Sequence, residues 1–407
     1  MDTSTIQPDS VLRHPGYLNF AASRVFSSLS FQCVAIALGW MIYDQTHSAF
    51  ALALVGLCQF LPMVVLTFIV GHVADRFDRR RIGLACQLIL ATVSALLAIA
   101  TWQDWLTPAG ILVAVTIMGA TVAFERPTMA ALLPSIMPSS LLQRAIATST
   151  SMMQTALIIG PSLGGILYGA HPVAPFALAA VLFAVASVNV ISIRMQWTPS
   201  KREPVTLTSV FAGVSFIKSR PVMLGTISLD LFAVLLGGAT ALLPMFASDI
   251  LHAGPWGLGF LRAAPAIGAL TMSIVLARRP LSSRVGIKMF AAVAVFGAAT
   301  IVFAVSTSIM LSIAALLVVG AADTVSVVVR SSLVQLLTPD SMRGRVNAVN
   351  SLFIGTSNQL GEFESGMLAG VMGPVAAGVI GGVGTIVVVL LWSRIFPDLR
   401  KVDTLQG

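Results

Sequence analysis

Twelve apolar runs, each about 20 to 27 residues long, divide this chain: 17–43, 50–70, 82–102, 108–127, 145–169, 173–194, 221–246, 257–277, 286–305, 308–329, 345–371 and 373–396. A run of about 20 apolar residues spans a hydrocarbon core when helical. A backbone in lipid must satisfy its own hydrogen bonds, so each run is expected to be a helix. The chain is 57% apolar and only 10% charged over 407 residues, more apolar surface than a soluble fold of that size hides. The expectation is an all-α polytopic membrane protein with twelve transmembrane helices.

The densest charge lies between the second and third runs, in GHVADRFDRRR at 71–81. A short basic loop between two spans belongs on the cytoplasmic side. Placing it there also puts both termini and the connections near 127–144, 195–220, 278–285 and 330–344 inside. Of the 24 Lys and Arg residues, all but Arg262 then lie in or at the cytoplasmic ends of those segments. N- and C-termini are therefore expected in the cytoplasm. The net charge of +8 is a topology signal, and nucleic acid is not an expected partner.

The longest polar connection, 195–220, lies between the sixth and seventh runs. Val210, Phe211, Phe216 and Ile217, followed by Lys218 and Arg220, suggest a short helix on the inner leaflet. The domains read as a six-helix bundle over 1–194, a cytoplasmic linker with an interfacial helix over 195–220, and a second six-helix bundle over 221–407. The halves repeat. A shift of 201 positions carries Gly119, Pro138, Arg144, Gly160 and Gly165 onto Gly320, Pro339, Arg345, Gly361 and Gly366. A shift of 203 carries Gly56 and Pro62 onto Gly259 and Pro265, and one of 206 carries Arg24 onto Asp230.

These features resemble the major facilitator superfamily of secondary transporters. Gly71, Asp75, Arg76, Arg79 and Arg80 match its loop signature G-x-x-x-D-R-x-G-R-R, with Asp78 where the family prefers glycine. Gly160, Pro161, Gly164 and Gly165 match the G-P-x-x-G-G part of an exporter motif, with Ala156 in place of its upstream glycine. The texture of 124–138 and 361–366 looks like the efflux branch containing enterobactin-type siderophore and macrolide exporters. The resemblance implies that Asp75 caps the eleventh span and helps lock a gate, a role suited to a carboxylate at a helix N-terminus. Arg343 and Arg345 are its natural partners. The alternative for the arginines is topological anchoring alone.

Ionisable groups inside a membrane are costly and mark function by default. Those here are Arg24, Glu125, Arg126, Asp230, Arg262, Asp323, Glu362 and Glu364. Substrate or proton coupling is expected among Asp230, Arg24, Glu362, Glu364, Asp323 and Glu125. Asp230 and Arg24, at repeat-related positions, are a candidate pair, with a merely structural ion pair as the alternative. Glu125 and Arg126 read as a local pair near the inner end of the fourth span. Glu362 and Glu364 point about 200° apart on one helix, so at most one faces a cavity.

Cys33, Cys58 and Cys86 lie in apolar runs without metal spacing and read as small hydrophobes. No nucleotide loop, metal-ligand cluster or nucleophile–base arrangement is recognisable, so no cofactor and no enzymatic activity are expected. The sequence points to a monomeric multi-pass protein of a bacterial cytoplasmic membrane. It would move an amphipathic drug-like or siderophore-like molecule outward in exchange for protons. The alternatives are a proton-coupled importer of the same fold and a non-transporting sensor or scaffold.

Overall fold

The computed structural model describes residues 11–193 and 207–404. Its long helices are α1 (Pro15–Thr46), α2 (Ala49–Arg76), α3 (Arg79–Trp102), α4 (Pro108–Ile136), α5 (Ser139–Ala170) and α6 (Ala174–Ile191), followed by the short α7 (Leu207–Lys218) where the linker helix was expected. After these come α8 (Pro221–Leu236), the single turn α9 (Leu243–Met245), α10 (Gly254–Arg278), α11 (Val285–Val305), α12 (Ile309–Leu337), α13 (Asp340–Met372), α14 (Pro374–Ile395) and the terminal turn α15 (Pro397–Lys401). Among the described residues, ten segments are long and apolar enough to cross a membrane. The long helices outside that set, α5 and α13, are repeat-related and interrupt their apolar sequence with polar residues such as Gln154, Asn358, Gln359 and Glu362.

Several helices outrun their apolar stretches. The connections expected at 127–144 and 330–344 shrink to a residue or two, because α4 continues to Ile136 and α12 to Leu337. Pro127 and Pro134 lie within α4 without ending it, since a neighbouring backbone or side chain can take up freed carbonyls in a membrane helix. The seventh apolar run, expected as one helix, is broken. Helix α8 stops at Leu236, and after Gly237 and Gly238 the chain runs through a 3₁₀ turn (Ala239–Leu242), α9 and a π turn (Phe246–Ile250). A Cβ at Gly238 would lie 2.4 Å from the carbonyl oxygen of Gly361. The break therefore lets two backbones cross closer than any side chain permits.

The helices cluster into two compact units. One comprises Met1–Leu38 and Cys58–Pro204, the other Gly39–Leu57 and Val205–Gly407. The tip of the α1–α2 hairpin thus belongs with the second unit, where a Cβ at Gly366 would come 2.8 Å from the Cβ of Ala53. Within the first unit α3 lies against α4 and α6; within the second α11 lies against α12 and α14, the same pattern in the duplicate. Tyr17, Phe20, Met129, Leu132 and Val190 build a buried core in the first, and Leu229, Met289, Val293, Val329 and Leu333 one in the second.

The duplicated glycines explain why the repeat keeps them. A Cβ at Gly119 would lie 2.3 Å from the Gln59 carbonyl oxygen of α2, and one at Gly320 would lie 1.8 Å from the Pro265 carbonyl oxygen of α10. Small residues at such crossings let membrane helices approach backbone to backbone. Gly320→Ala is expected to force α10 and α12 apart and to sharply reduce the monodisperse protein recovered by size-exclusion chromatography. Gly169→Ala, with nothing within 4 Å of the new methyl, should match wild type. Equal recovery of the two variants would refute this account of the crossing.

Candidate functional site

Among the described residues, an interhelical ion pair in each unit joins the first and fourth long helices of that half of the chain. In the first unit Arg24 of α1 donates from Nη1 to Glu125 Oε1 of α4 at 2.6 Å. Gln87 of α3, fully buried, donates to Ser27 Oγ at 3.2 Å and to Glu125 Oε1 at 3.5 Å. Glu125 therefore pairs across helices with Arg24, and the expected local pair with Arg126 is not formed. On a helix adjacent residues point about 100° apart, so Glu125 turned to α1 carries Arg126 away from it.

In the second unit Asp230 of α8 accepts from Arg330 Nη1 of α12 through Oδ2, and from Ser326 Oγ through Oδ1 at 3.5 Å. Both ionic side chains are about 5% exposed. Asp323, Ser326 and Arg330 stand at i, i+3 and i+7 on α12, one face of one helix. Asp230, Asp323 and Ser326 also line a small, partly open pocket together with Ala233, Val234, Val293, Phe296 and Ala322. The Arg330 Nε is buried without a hydrogen-bond partner. Asp230 and Arg24, expected as a possible pair, each find their partner within their own unit.

The remaining carboxylates separate as their spacing requires. Glu362 accepts from Thr240 Oγ1 at 3.3 Å beside the break in the seventh apolar run, and a Cβ at Gly56 would lie 3.9 Å from its Oε2. Arg262 Nη1 donates to the carbonyl oxygen of the same Thr240 at 3.4 Å. Glu364 points elsewhere, and its Oε2 is buried without a hydrogen bond. Arg345 is exposed and reaches Met342 Sδ at 3.7 Å.

Of the loop signature, the side chains of Gly71, Asp75 and Arg76 lie outside the described residues, and with them the expected cap of α13. Its arginines hold the first unit together: Arg79 Nη1 donates to the Ala131 carbonyl at 3.1 Å and to Ser135 Oγ at 3.2 Å, while Arg80 Nη1 donates to the Ile193 carbonyl at 2.9 Å. Asp78, the departure from the family pattern, caps α3 by accepting from the Arg80 backbone N–H at 2.9 Å with an ordinary φ of −60°. The conformation requires no glycine there, and aspartate is a favoured N-cap. Burial raises its pKa, but the Arg80 hydrogen bonds and the Arg80 and Arg81 charges outweigh it and hold the carboxyl below its usual range. That stabilisation is present above the ordinary aspartate pKa and is lost as pH falls through the lowered one.

The exporter-type motif builds a helix crossing. A Cβ at Gly160 would lie 2.5 Å from Gln32 Cβ and one at Gly164 2.8 Å from Cys33 Cα, so α5 rests on α1 backbone to backbone. Cys33 Sγ adds a hydrogen bond to the Gly160 carbonyl at 3.4 Å, and Pro161 and Gly165 are buried beside it.

A duplicated helical bundle of this kind is the architecture of a major facilitator transporter. Solved structures with the same fold include the nucleoside transporter NupG, as its D323A mutant (TM-score 0.73, 14% identity, covering 94% of this chain and 100% of that one). A bacterial homologue of the iron transporter ferroportin in an inward-facing state gives a TM-score of 0.70 at 16% identity, covering 97% and 100%. The chain belongs to the transmembrane secretion effector family, whose model matches residues 7–406. It is 25% identical over 394 residues to the enterobactin exporter EntS of Citrobacter koseri, covering 95% of this chain and 93% of that protein. It is 25% identical over 397 residues to that of Shigella boydii, with the same coverage. The protein is a multi-pass membrane transporter of small molecules.

Proposed function

We propose that this transporter exports an amphipathic small molecule, of siderophore or drug type, in exchange for protons across a bacterial cytoplasmic membrane. The observation that carries the reading is the set Asp230, Asp323 and Arg330, a buried and a half-buried carboxylate with a single buried arginine on the same face of α12 as Asp323. One guanidinium can fully neutralise only one of them, so the other has two natural states: protonated, or charged and competing for Arg330. Buried carboxylates of this kind mark proton routes in membrane proteins. Outward direction and a siderophore-like cargo are supported by the likeness to enterobactin exporters over nearly the whole chain.

The rest of the notional machine follows the same reading. Helices α5 and α13 complete twelve spans, their polar residues lining water rather than lipid, and the lysines and arginines keep both termini and α7 in the cytoplasm. The 1–194 and 221–407 bundles work as a monomer by alternating access, with Asp75 and the loop after α2 steadying one gate and Glu362 the region of the helix break. In liposomes holding the purified protein, a pH gradient should drive enterobactin accumulation against its concentration gradient, and dissipating the gradient should stop it. Uphill movement that ignores the gradient would refute proton coupling, and movement with the proton flux would favour an importer.

A further inference from the structure

Arg126 carries a charge that neither interhelical ion pair uses. Its neighbour Glu125 is already neutralised by Arg24 at 2.6 Å, so this part of the first unit holds two cations and one carboxylate. Arg126 makes no hydrogen bond or ion pair among the described residues, yet its side chain is exposed ten residues before the end of α4.

The direction of that exposure is set by the helix itself. Val113 and Ile117, exposed at 59% and 41%, mark the apolar stripe that α4 turns outward, as a lipid-facing stripe should. Arg126 is nine residues beyond Ile117, which at about 100° per residue puts it roughly 180° away, on the opposite side of the helix. Two and three turns earlier that same side is buried: Gly119 sits against the α2 backbone and Val115 is packed. Arg126 is thus exposed where the packing of α4 opens, away from the stripe that meets lipid. An unpaired guanidinium there needs water and an exchangeable anion, because in hydrocarbon it would have neither.

We propose that Arg126 binds an anionic group on the transported molecule, a carboxylate or ionised catechol oxygen. A guanidinium presents paired N–H donors that match such oxygens bidentately, and its charge cannot be discharged by deprotonation. The Arg24–Glu125 pair fixes α4 against α1 and prevents Glu125 from occupying Arg126 itself. This deepens the proposed export of a siderophore-like molecule and rests on that reading for its cargo. The complementary set in the second unit, with its excess of carboxylate, is left for the proton.

Binding and exposure can be tested without relying on the direction or energetics of transport. Stabilisation of the purified protein against thermal unfolding by 2,3-dihydroxybenzoate should exceed that by the uncharged 2,3-dihydroxybenzamide. Arg126→Gln should abolish that difference, and Arg126→Lys should retain part of it. In a background with the three native cysteines replaced by alanine, Arg126→Cys should react with a membrane-impermeant, charged thiosulfonate. Equal responses of wild type and Arg126→Gln to the two compounds would overturn the proposal. So would labelling only by membrane-permeant maleimide, or a benzoate effect that anionic phospholipid in the micelle removes, which would assign Arg126 to lipid headgroups. In liposomes, Arg126→Gln should weaken the apparent affinity for enterobactin at least tenfold. A wild type that moves no enterobactin while keeping the anion-selective stabilisation would sink the cargo reading and leave the anion site standing.

Discussion

Replacing Asp230 with asparagine is expected to abolish proton-driven flux while leaving cargo-for-cargo exchange across the liposome membrane. The drop in driven flux should be at least about 100-fold, the scale on which a positioned proton-transfer group contributes. Asparagine matches the shape of aspartate and can still accept from Ser326, so the pocket survives; what it cannot do is gain and lose a proton. Arg330 is then buried beside a neutral partner, and breaking a buried pair by removing one ion typically destabilises by about 3–5 kcal/mol. Asp323, two turns away on the same face of α12, recovers part of that loss by taking over as counterion. A lowered thermal midpoint should therefore accompany the flux defect, and Asp230→Asn combined with Arg330→Gln should restore the midpoint without restoring driven flux. Full driven flux in the single variant would exclude Asp230 as a coupling group.

The residues in that prediction were unequally legible in the sequence. Asp230 stands out because a carboxylate ten residues into an apolar run has few bland explanations. Arg330 does not, because it falls just past the tenth apolar run and reads as the first residue of a cytoplasmic loop. The helix continues seven residues further, since tertiary packing, with Leu333 and Val334 buried, holds turns that hydropathy alone assigns to a loop. The available signal was spacing: Asp323, Ser326 and Arg330 share one helical face. Arg126 was displaced by the same end effect in α4. Gln87 was invisible for another reason, since one amide in an apolar helix carries little signal until its partners are known.

Partner choice was illegible in principle. Repeat symmetry related Arg24 to Asp230 and suggested that the two might meet, but symmetry gives equivalent positions and not helix rotations. The rotations turn each toward the fourth helix of its own half. Gly237 and Gly238 show the converse case: glycine is common in membrane helices, so the pair by itself does not mark a helix end. There the backbone crossing with Gly361, rather than local propensity, decides that the helix ends.

The two ion pairs have opposite polarity, with the cation on the first helix in one half and on the fourth in the other, and this gives the second large prediction. Glu125→Gln should destabilise the protein much more than Arg24→Gln. Removing the carboxylate leaves Arg24, about 19% exposed, without an anion, and an arginine cannot shed its charge. The cost should approach about 3 kcal/mol, the lower end for breaking a buried pair, because Arg24 retains some exposure. Removing the arginine instead leaves a carboxylate that can take up a proton or accept from Gln87, so its loss is smaller. The double variant should be more stable than Glu125→Gln alone, since it leaves no buried charge without its counterion. Thermal midpoints of the four proteins at neutral pH decide the matter. Equal losses, or a double variant whose loss is the sum of the singles, would mean that the pair does not carry the stability assigned to it. The second unit should show the mirrored order, Asp230→Asn costing more than Arg330→Gln, because there too the unforgiving member is the arginine. Polarity along the chain therefore matters less than which ion can be neutralised, and in both halves that ion is the carboxylate.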